Sequence, residues 1–506
     1  GLGAERTVRP VAEGRPASGG RPVSQRERPQ IQPLGPATVG THYGAGELDA
    51  LRQATLDILE TVGVQFPSGQ ALDLLAEHGV GVDRERRVAT FAPDLVLDAV
   101  ARAPRRFVLG ARDPACDLEV GDGRTYCTTD GCGTKVFDAE AGTTRLSTKA
   151  DVAAVTRLQD ALSSISFWWP TVGAGDCGET AQLHELDAGW NNTVKHLQGM
   201  VNGERAARYA VEMARAVAGG AESLRRRPVL SDLIGTVSPL MQDTDGIEAA
   251  LVFAEAGVPV CFVTMPTLGT TAPATQAGAF ALGMAEVVAA VVLLQLVVPG
   301  APVLGSIMQS YADPRTGAFV SFPLDTRTRG LATALVHHWG LPAESAACGT
   351  DSRVPGTWQA GAEEAFDLAL AAREGSELMP SIGLVDVYTT FYPEHLMLGD
   401  DLYHRARTSL LPLGVDDETL ALEAVRDVGP GGHFLAHRHT RTHMRSSVVR
   451  AITQQPGAEG VFRDPVDVAR ERAARLWREH EPEPLDDGLR AELTRILAAA
   501  DAELRG

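Results

Sequence analysis

Chemically able side chains are densest in Gly429-Pro-Gly-Gly-His-Phe-Leu-Ala-His-Arg-His-Thr-Arg-Thr-His443, where four histidines follow a glycine run. On a helix His439 and His443 would share a face, and imidazole nitrogens so spaced can hold zinc. No cysteine lies nearby and no His-Glu-x-x-His base is present, so no metal is expected. A helix start that closes over a ligand, with one or two histidines hydrogen-bonding it, competes with a plain surface cluster. Cys127 and Cys132 flank Asp130 without a second pair, which reads as two partly buried thiols in a hairpin rather than as ligands. Gly173-Ala-Gly-Asp-Cys-Gly178 has the G-x-G-x-x-G spacing of a dinucleotide loop, but Asp176 inside it would repel a pyrophosphate, leaving a glycine-rich loop as the reading. A Walker GK[ST] and a G-x-S-x-G elbow are both absent, which removes the commonest serine hydrolase reading.

Aromatic residues are only 5% of the chain, yet Trp168, Trp169, Tyr311, Phe319, Phe322, Trp358, Tyr388, Phe391 and Tyr392 fall at or after candidate strand ends. Rings lining a mouth would attract a quaternary ammonium by cation-π interaction, worth about 0.5 to 2 kcal/mol each; taken singly, each also reads as core filler. Asp351 and Asp386, beside strand ends, read as charge complements or helix caps.

These residues need a scaffold, and apolar runs bounded by Gly or Pro near 164–169, 195–201, 229–237, 258–264, 302–308, 344–349 and 379–385 read as strands. Helical patterns near 179–191, 203–218, 243–256, 273–297, 325–339 and 357–373 alternate with them. With one further strand not placed, about eight βα units are expected, which fits a (β/α)8 TIM barrel better than an open doubly wound sheet. In a barrel, chemistry sits at the carboxyl ends of the strands. The expected division is a disordered or wrapping arm at 1–40, an N-terminal helical and hairpin extension at 41–145, the barrel at 146–480 and a C-terminal helix at 481–506.

With 46 basic and 65 acidic residues the chain carries a formal charge of −19, which excludes a general nucleic-acid binder. Six cysteines among 506 residues are too sparse for a disulfide framework, and no charged-apolar-small leader opens the sequence, so the expected location is cytoplasmic. The long apolar stretch from Phe280 to Val298 is interrupted by Glu286 and Gln295 and is expected as a buried helix, not a membrane span.

Three stretches go beyond fold: Thr264-Met-Pro-Thr-Leu-Gly-Thr-Thr-Ala-Pro273 running through to Gly305, Cys348-Gly-Thr-Asp-Ser-Arg-Val-Pro-Gly-Thr-Trp-Gln-Ala-Gly361, and the glycine-histidine block at 429–445. Together they resemble the trimethylamine:corrinoid methyltransferase family, including its glycine-betaine-type relatives, over about residues 45 to 480. The resemblance implies a barrel whose mouth docks a separate corrinoid-binding protein, and transfer of a methyl group from a methylated amine to Co(I) of its cobalamin; no cofactor is expected to bind this chain tightly. The trimethylamine branch of that family carries pyrrolysine. This chain has only standard residues, which favours a quaternary amine such as glycine betaine, carnitine or proline betaine.

On this basis Gln309, Tyr311, Thr350, Asp351, Ser352, Asp386 and Tyr388 are expected to line the substrate pocket, with His433, His437 and His439 closing it. A betaine carboxylate would want His433, His437, Arg438 or Arg353 as partner, unless those arginines form surface ion pairs. Gly431 and Gly432 would let the flat corrinoid approach, and Thr270 and Thr271 would face it, meet substrate or cap the helix starting near Pro273. No catalytic acid or base is assigned, since a quaternary ammonium leaves as a neutral amine. A non-catalytic amine- or corrinoid-protein-binding barrel and a zinc-dependent methyltransferase are the competing readings. A homodimer or higher homo-oligomer is the expected assembly.

Overall fold

The computed structural model describes residues 31, 43–139, 141–320, 328–345, 349–447 and 451–505. The expected arm at 1–40 lies outside the described residues except for Ile31, which packs against a buried cluster that includes Leu109 and Leu118.

The fold is α/β. Its central strands are β1 (Tyr126–Thr129), β2 (Phe167–Trp168), β3 (His196–Gly199), β4 (Leu230–Val237), β5 (Val260–Thr264), β6 (Val303–Ile307) and β7 (Leu378–Ile382). From β2 to β6 each strand pairs in parallel with the next in chain order. Beyond β6, Gly305 bridges in parallel to Ala343, and Glu344 bridges to Leu378 of β7. β7 pairs in parallel with β1, and the Ser166 amide, just before β2, donates to the Cys127 carbonyl of β1 at 2.7 Å. All five residues of β5 and of β6 are buried, the run expected of a parallel strand covered on both faces.

Between the strands run α1 (Lys149–Ala161), α2 (Ala181–Asn192), α3 (Glu204–Ala218), α4 (Thr244–Ala256), α5 (Gln276–Val297), α6 (Arg329–His338), α7 (Trp358–Glu374) and α8 (Pro393–Ser409). Local chemistry sets several ends. Thr148 and Asp151 form a reciprocal capping box at the start of α1; Asp243 accepts from the Gly246 amide at the start of α4, which stops at Gly257 with φ 78°.

α5 is apolar all round because it has no solvent face: the helices Ala45–Thr61 and Pro93–Val100 pack outside it, β5 and β6 inside. By length and composition it could cross a membrane, but 94% of its most apolar window is buried within the protein. Its one carboxylate, Glu286, accepts from the hydroxyls of Thr236 at 2.6 Å, Ser238 at 2.9 Å and Thr264 at 2.6 Å and from the Leu240 amide at 2.8 Å. At the C-terminus, Pro465–Glu479 packs on α8 and Asp487–Leu504 on α3.

Two local expectations change. Phe107–Leu109 and Leu118–Val120 form the expected antiparallel pair, but Cys127 belongs to a central parallel strand, not to a hairpin with Cys132. All four residues of β1 are buried, so it is held from both faces rather than by a turn. The helix foreseen from Pro273 begins at Gln276.

Candidate active site

A cavity of about 470 Å³ opens at the carboxyl ends of the parallel strands. Each strand contributes where it ends. Asp130, Gly131 and Cys132 follow β1; Trp169 follows β2; Met200 follows β3. Gly235 and Val263 come from β4 and β5, and Ser306 to Ser310 from β6 and the turn behind it. Glu344, Ser345, Pro380 and Tyr388 complete the wall, and α5 adds Phe280. Most of this surface is aliphatic, aromatic or thioether. Met265 and Phe319, half exposed, stand among the lining residues. Gly131 has a steric reason, since a Cβ there would meet the Trp169 ring at 2.8 Å.

Neutral hydroxyl, amide and thiol groups (Ser306, Gln309, Ser310, Thr328, Ser345, Tyr388, Cys132) make up most of the polar lining, and the charged side chains are two acids, Asp130 and Glu344. Glu344 is 2% exposed; its Oε2 accepts from the Gln198 side chain at 2.8 Å, and burial raises its carboxyl to about 7 against the weaker opposing pull of Gln198 and the Cys261 thiol. Behind the wall, burial lifts Asp232 well above the carboxylate range although the Val201 amide donates to it at 3.0 Å. The thiol of Cys132, an exposed residue, lies 3.0 Å from the Met200 sulfur, and desolvation first and the Glu185 carboxylate second push it upward. Among the described lining residues there is no Lys, Arg or His.

Of the residues expected from the sequence to line the substrate pocket or close it, Gln309 and Tyr388 line this cavity. Gln309 donates to the Gln276 carbonyl at 3.0 Å, fixing its amide against the start of α5. Tyr388 ends a run of three left-handed residues, Asp386 (φ 56°), Val387 (φ 56°) and Tyr388 (φ 61°). This conformation is costly for non-glycine residues. Thr350, Asp351 and Ser352 hold the run from behind instead of touching the cavity. The Ser352 carbonyl accepts from the Asp386 amide at 2.7 Å and the Thr350 carbonyl from the Val387 amide at 3.4 Å. Glu363 of α7 in turn anchors the Thr350 hydroxyl at 2.6 Å and the Asp351 amide at 2.9 Å. Asp386 pairs with the exposed Arg353 at 3.8 Å.

Other candidates lie elsewhere. Tyr311 sits in the short strand Ser310–Ala312, its hydroxyl buried, and is not among the lining residues. Thr270 and Thr271 close a turn on Thr267: the Thr270 hydroxyl donates to the Thr267 carbonyl at 3.1 Å and that of Thr271 accepts the Thr267 amide at 2.9 Å, so neither caps α5. His433 is exposed, His437 faces Asp427 at 3.5 Å, and the rings of His439 and His443 lie 4.3 Å apart. Gly431 (φ 79°) and Gly432 form a turn, where a Cβ on Gly432 would meet the Val428 carbonyl at 2.5 Å. None of these residues lines the cavity.

Of the aromatic residues, Trp169, Phe319 and Tyr388 reach the cavity, while Trp168 is core, its indole N–H bonded to Thr156 at 2.8 Å. Phe322 and Cys348 lie outside the described residues. Sequence reasoning missed Glu344, Met200 and Phe280 as wall residues. Only the position of Glu344 at the start of a candidate strand could have drawn attention to it.

The profile of a family described as trimethylamine methyltransferase (MTTB) matches residues 14–504. Trimethylamine methyltransferase MttB of Desulfitobacterium hafniense is 31% identical over 467 residues, covering 90% of this chain and 93% of that protein. Trimethylamine methyltransferase MttB of Methanosarcina barkeri is 29% identical, covering 92% and 96%. Glycine betaine methyltransferase of Desulfitobacterium hafniense is 26% identical, covering 90% and 96%. Among solved structures, the Methanosarcina barkeri monomethylamine methyltransferase (MtmB) aligns with TM-score 0.41 at 12% identity, covering 89% of this chain and 92% of that one. The match over nearly its whole length shows that this chain is a methyltransferase belonging to the trimethylamine methyltransferase family.

Proposed function

We propose that this methyltransferase moves a methyl group from a quaternary amine, glycine betaine or a related compound, to Co(I) of a corrinoid carried by a separate protein docked over the cavity mouth. The carrying observation is the cavity itself: rings of Trp169, Tyr388, Phe280 and Phe319, thioethers of Met200, Met265 and Met308, and buried acids as the charged lining. Such walls attract a methylated cation and offer little to a hydrated anion. When bound, the corrinoid supplies the nucleophile that takes the methyl carbon. A flat macrocycle suits the half-exposed Met265 and Phe319 at the cavity, and Thr270 and Thr271, a few residues beyond Met265, fit the same docking face.

This chain's own part is to bind, orient and dehydrate. The apolar wall strips water from the ammonium, and Gln309 and Tyr388 supply fixed dipoles that orient it. The leaving nitrogen becomes a neutral tertiary amine and needs no proton, which agrees with a described lining that has no Lys, Arg or His. A betaine carboxylate points to the mouth, away from Glu344 and Asp130.

The strand succession supports a closed (β/α)8 barrel. Neighbours follow chain order without the reversal of a doubly wound sheet, and the bridges through Ala343 and Glu344 run on to β7 and β1. In that reading β1 is the first barrel strand, so the barrel begins before residue 146. The described cysteines, all free thiols, fit a cytoplasmic setting. A homo-oligomer fits the exposed Leu413, Val415 and Leu435; sedimentation giving the mass of one chain would count against it.

The functional test is incubation of the purified chain with Co(I)-cobalamin and a panel of glycine betaine, proline betaine, carnitine, choline, tetramethylammonium and trimethylamine. Methylation of cobalamin is expected with a quaternary amine. No methylation with any of them overturns the reading.

A further inference from the structure

Glu344 is the one charged side chain on the cavity wall that reaches it from the short bridge between β6 and β7. Its Oε2 is held by Gln198 of β3 at 2.8 Å, while its buried Oε1 has no hydrogen-bond partner apart from the neighbouring Cys261 thiol of β5. No basic side chain faces it among the described residues of the cavity; the other titratable groups are Asp130 and Cys132 behind β1, Tyr388, Cys261 and, behind the wall, Asp232. An ionised carboxylate there would be a buried charge without a counter-ion, which a protein avoids by keeping the proton. A methylated ammonium entering the cavity would supply the missing charge.

We propose that Glu344 is the counter-charge for the substrate nitrogen and a specificity-determining residue: entry of the cation breaks the carboxyl O–H bond, the proton passes to solvent, and the ammonium replaces it. This rests on the cavity being the methyl-donor site. Selection then follows from charge and not from shape alone, because a neutral molecule of the same outline leaves the carboxyl protonated and gains nothing from it. The same pairing acts on the reaction. The positive charge on nitrogen fades as the methyl group leaves, so an anionic Glu344 stabilises bound substrate more than the transition state. Glu344 therefore serves capture and discrimination, and its loss should raise KM while leaving kcat unchanged or higher.

The test is calorimetric binding of tetramethylammonium, and of choline against its neutral isostere 3,3-dimethylbutan-1-ol, in buffers of different ionisation heat. With a carboxyl poised at about 7, roughly half a proton should be released per cation bound at pH 7, approaching one at pH 6 and vanishing near pH 9. Affinity should rise with pH across that window. Glu344→Gln should abolish the release, flatten the pH profile and remove at least about tenfold of the preference for choline over the isostere. Gln198→Leu keeps the carboxyl but removes a bond favouring its ionised form, and should move the release midpoint to higher pH. Cation binding without proton uptake or release, or an unchanged preference in Glu344→Gln, overturns the assignment. If methyl transfer persists alongside that result, only Glu344's part fails; if no amine binds and none is demethylated, the methyl-donor reading fails with it.

Discussion

Trp169 presents an indole to the cavity while its neighbour Trp168 is locked in the core, so one residue of register separates binding from packing. Trp169→Leu keeps the wall apolar but removes the π face, and should weaken quaternary-ammonium binding by about 0.5 to 2 kcal/mol, roughly 2- to 30-fold, in calorimetric titration. The neutral isostere should lose less. Protonation of buried acids has a global readout as well. Glu344 and Glu185 hold their protons in the fold to about pH 7, chiefly through desolvation, but ionise near 4.5 in the unfolded chain. Between those values the folded state binds more protons, so stability should fall as pH rises from about 4.5 to 7, by ~1 to 3 kcal/mol per group. Urea unfolding at pH 5 and pH 7.5 checks the sign; greater stability at the higher pH would contradict it. Trp169 was legible as one of the rings expected at the strand ends, but the buried acids were not. The glycine-histidine block is the densest reactive run in the sequence, yet its turn at Gly429 to Gly432 leaves His433 exposed and its neighbours pairing with one another outside the cavity. Glu344, isolated among small residues, gave no local pattern.

At the scale of elements, the left-handed run from Asp386 to Tyr388 is the most strained segment near the site, and Val387 is β-branched. Strain of that kind persists only where neighbours enforce it. Here they are Thr350, whose hydroxyl donates to Glu363 of α7, and Ser352, whose amide donates to that same Thr350 hydroxyl. Val387→Gly should stabilise the fold by about 1 kcal/mol by relieving the backbone, while loosening Tyr388 and raising KM. A rise in Tm together with a rise in KM is the expected signature, and a rise in Tm with unchanged KM would show that Tyr388 is placed by something else. The strands β5 and β6 could be read in advance because each is an apolar run near Gly or Pro and buried throughout. β1 could not: Tyr-Cys-Thr-Thr lies between turn signals, and its identity as a central strand comes from β7, about 250 residues away in sequence.

Across the whole molecule, Glu286 joins α5 to β4, β5 and the segment behind β4 through four hydrogen bonds. Glu286→Ala would strand those donors in a dry interior and leave a void, for a cost of about 3 to 5 kcal/mol. Thermal unfolding measures it, and a drop of only a degree or two would mean that water replaces the carboxylate.

Glu286 is also the only charged residue in α5. During synthesis these 22 residues leave the ribosome before β6, α6 and β7 exist to cover them. For that interval the nascent chain displays a segment long and apolar enough to cross a membrane. Glu286 and Gln295 are the polar groups that interrupt the emerging helix, and a charge near a helix centre costs about 2.5 to 3.5 kcal/mol on insertion, so the group that knits the finished core also disfavours entry of the unfinished chain into the bilayer.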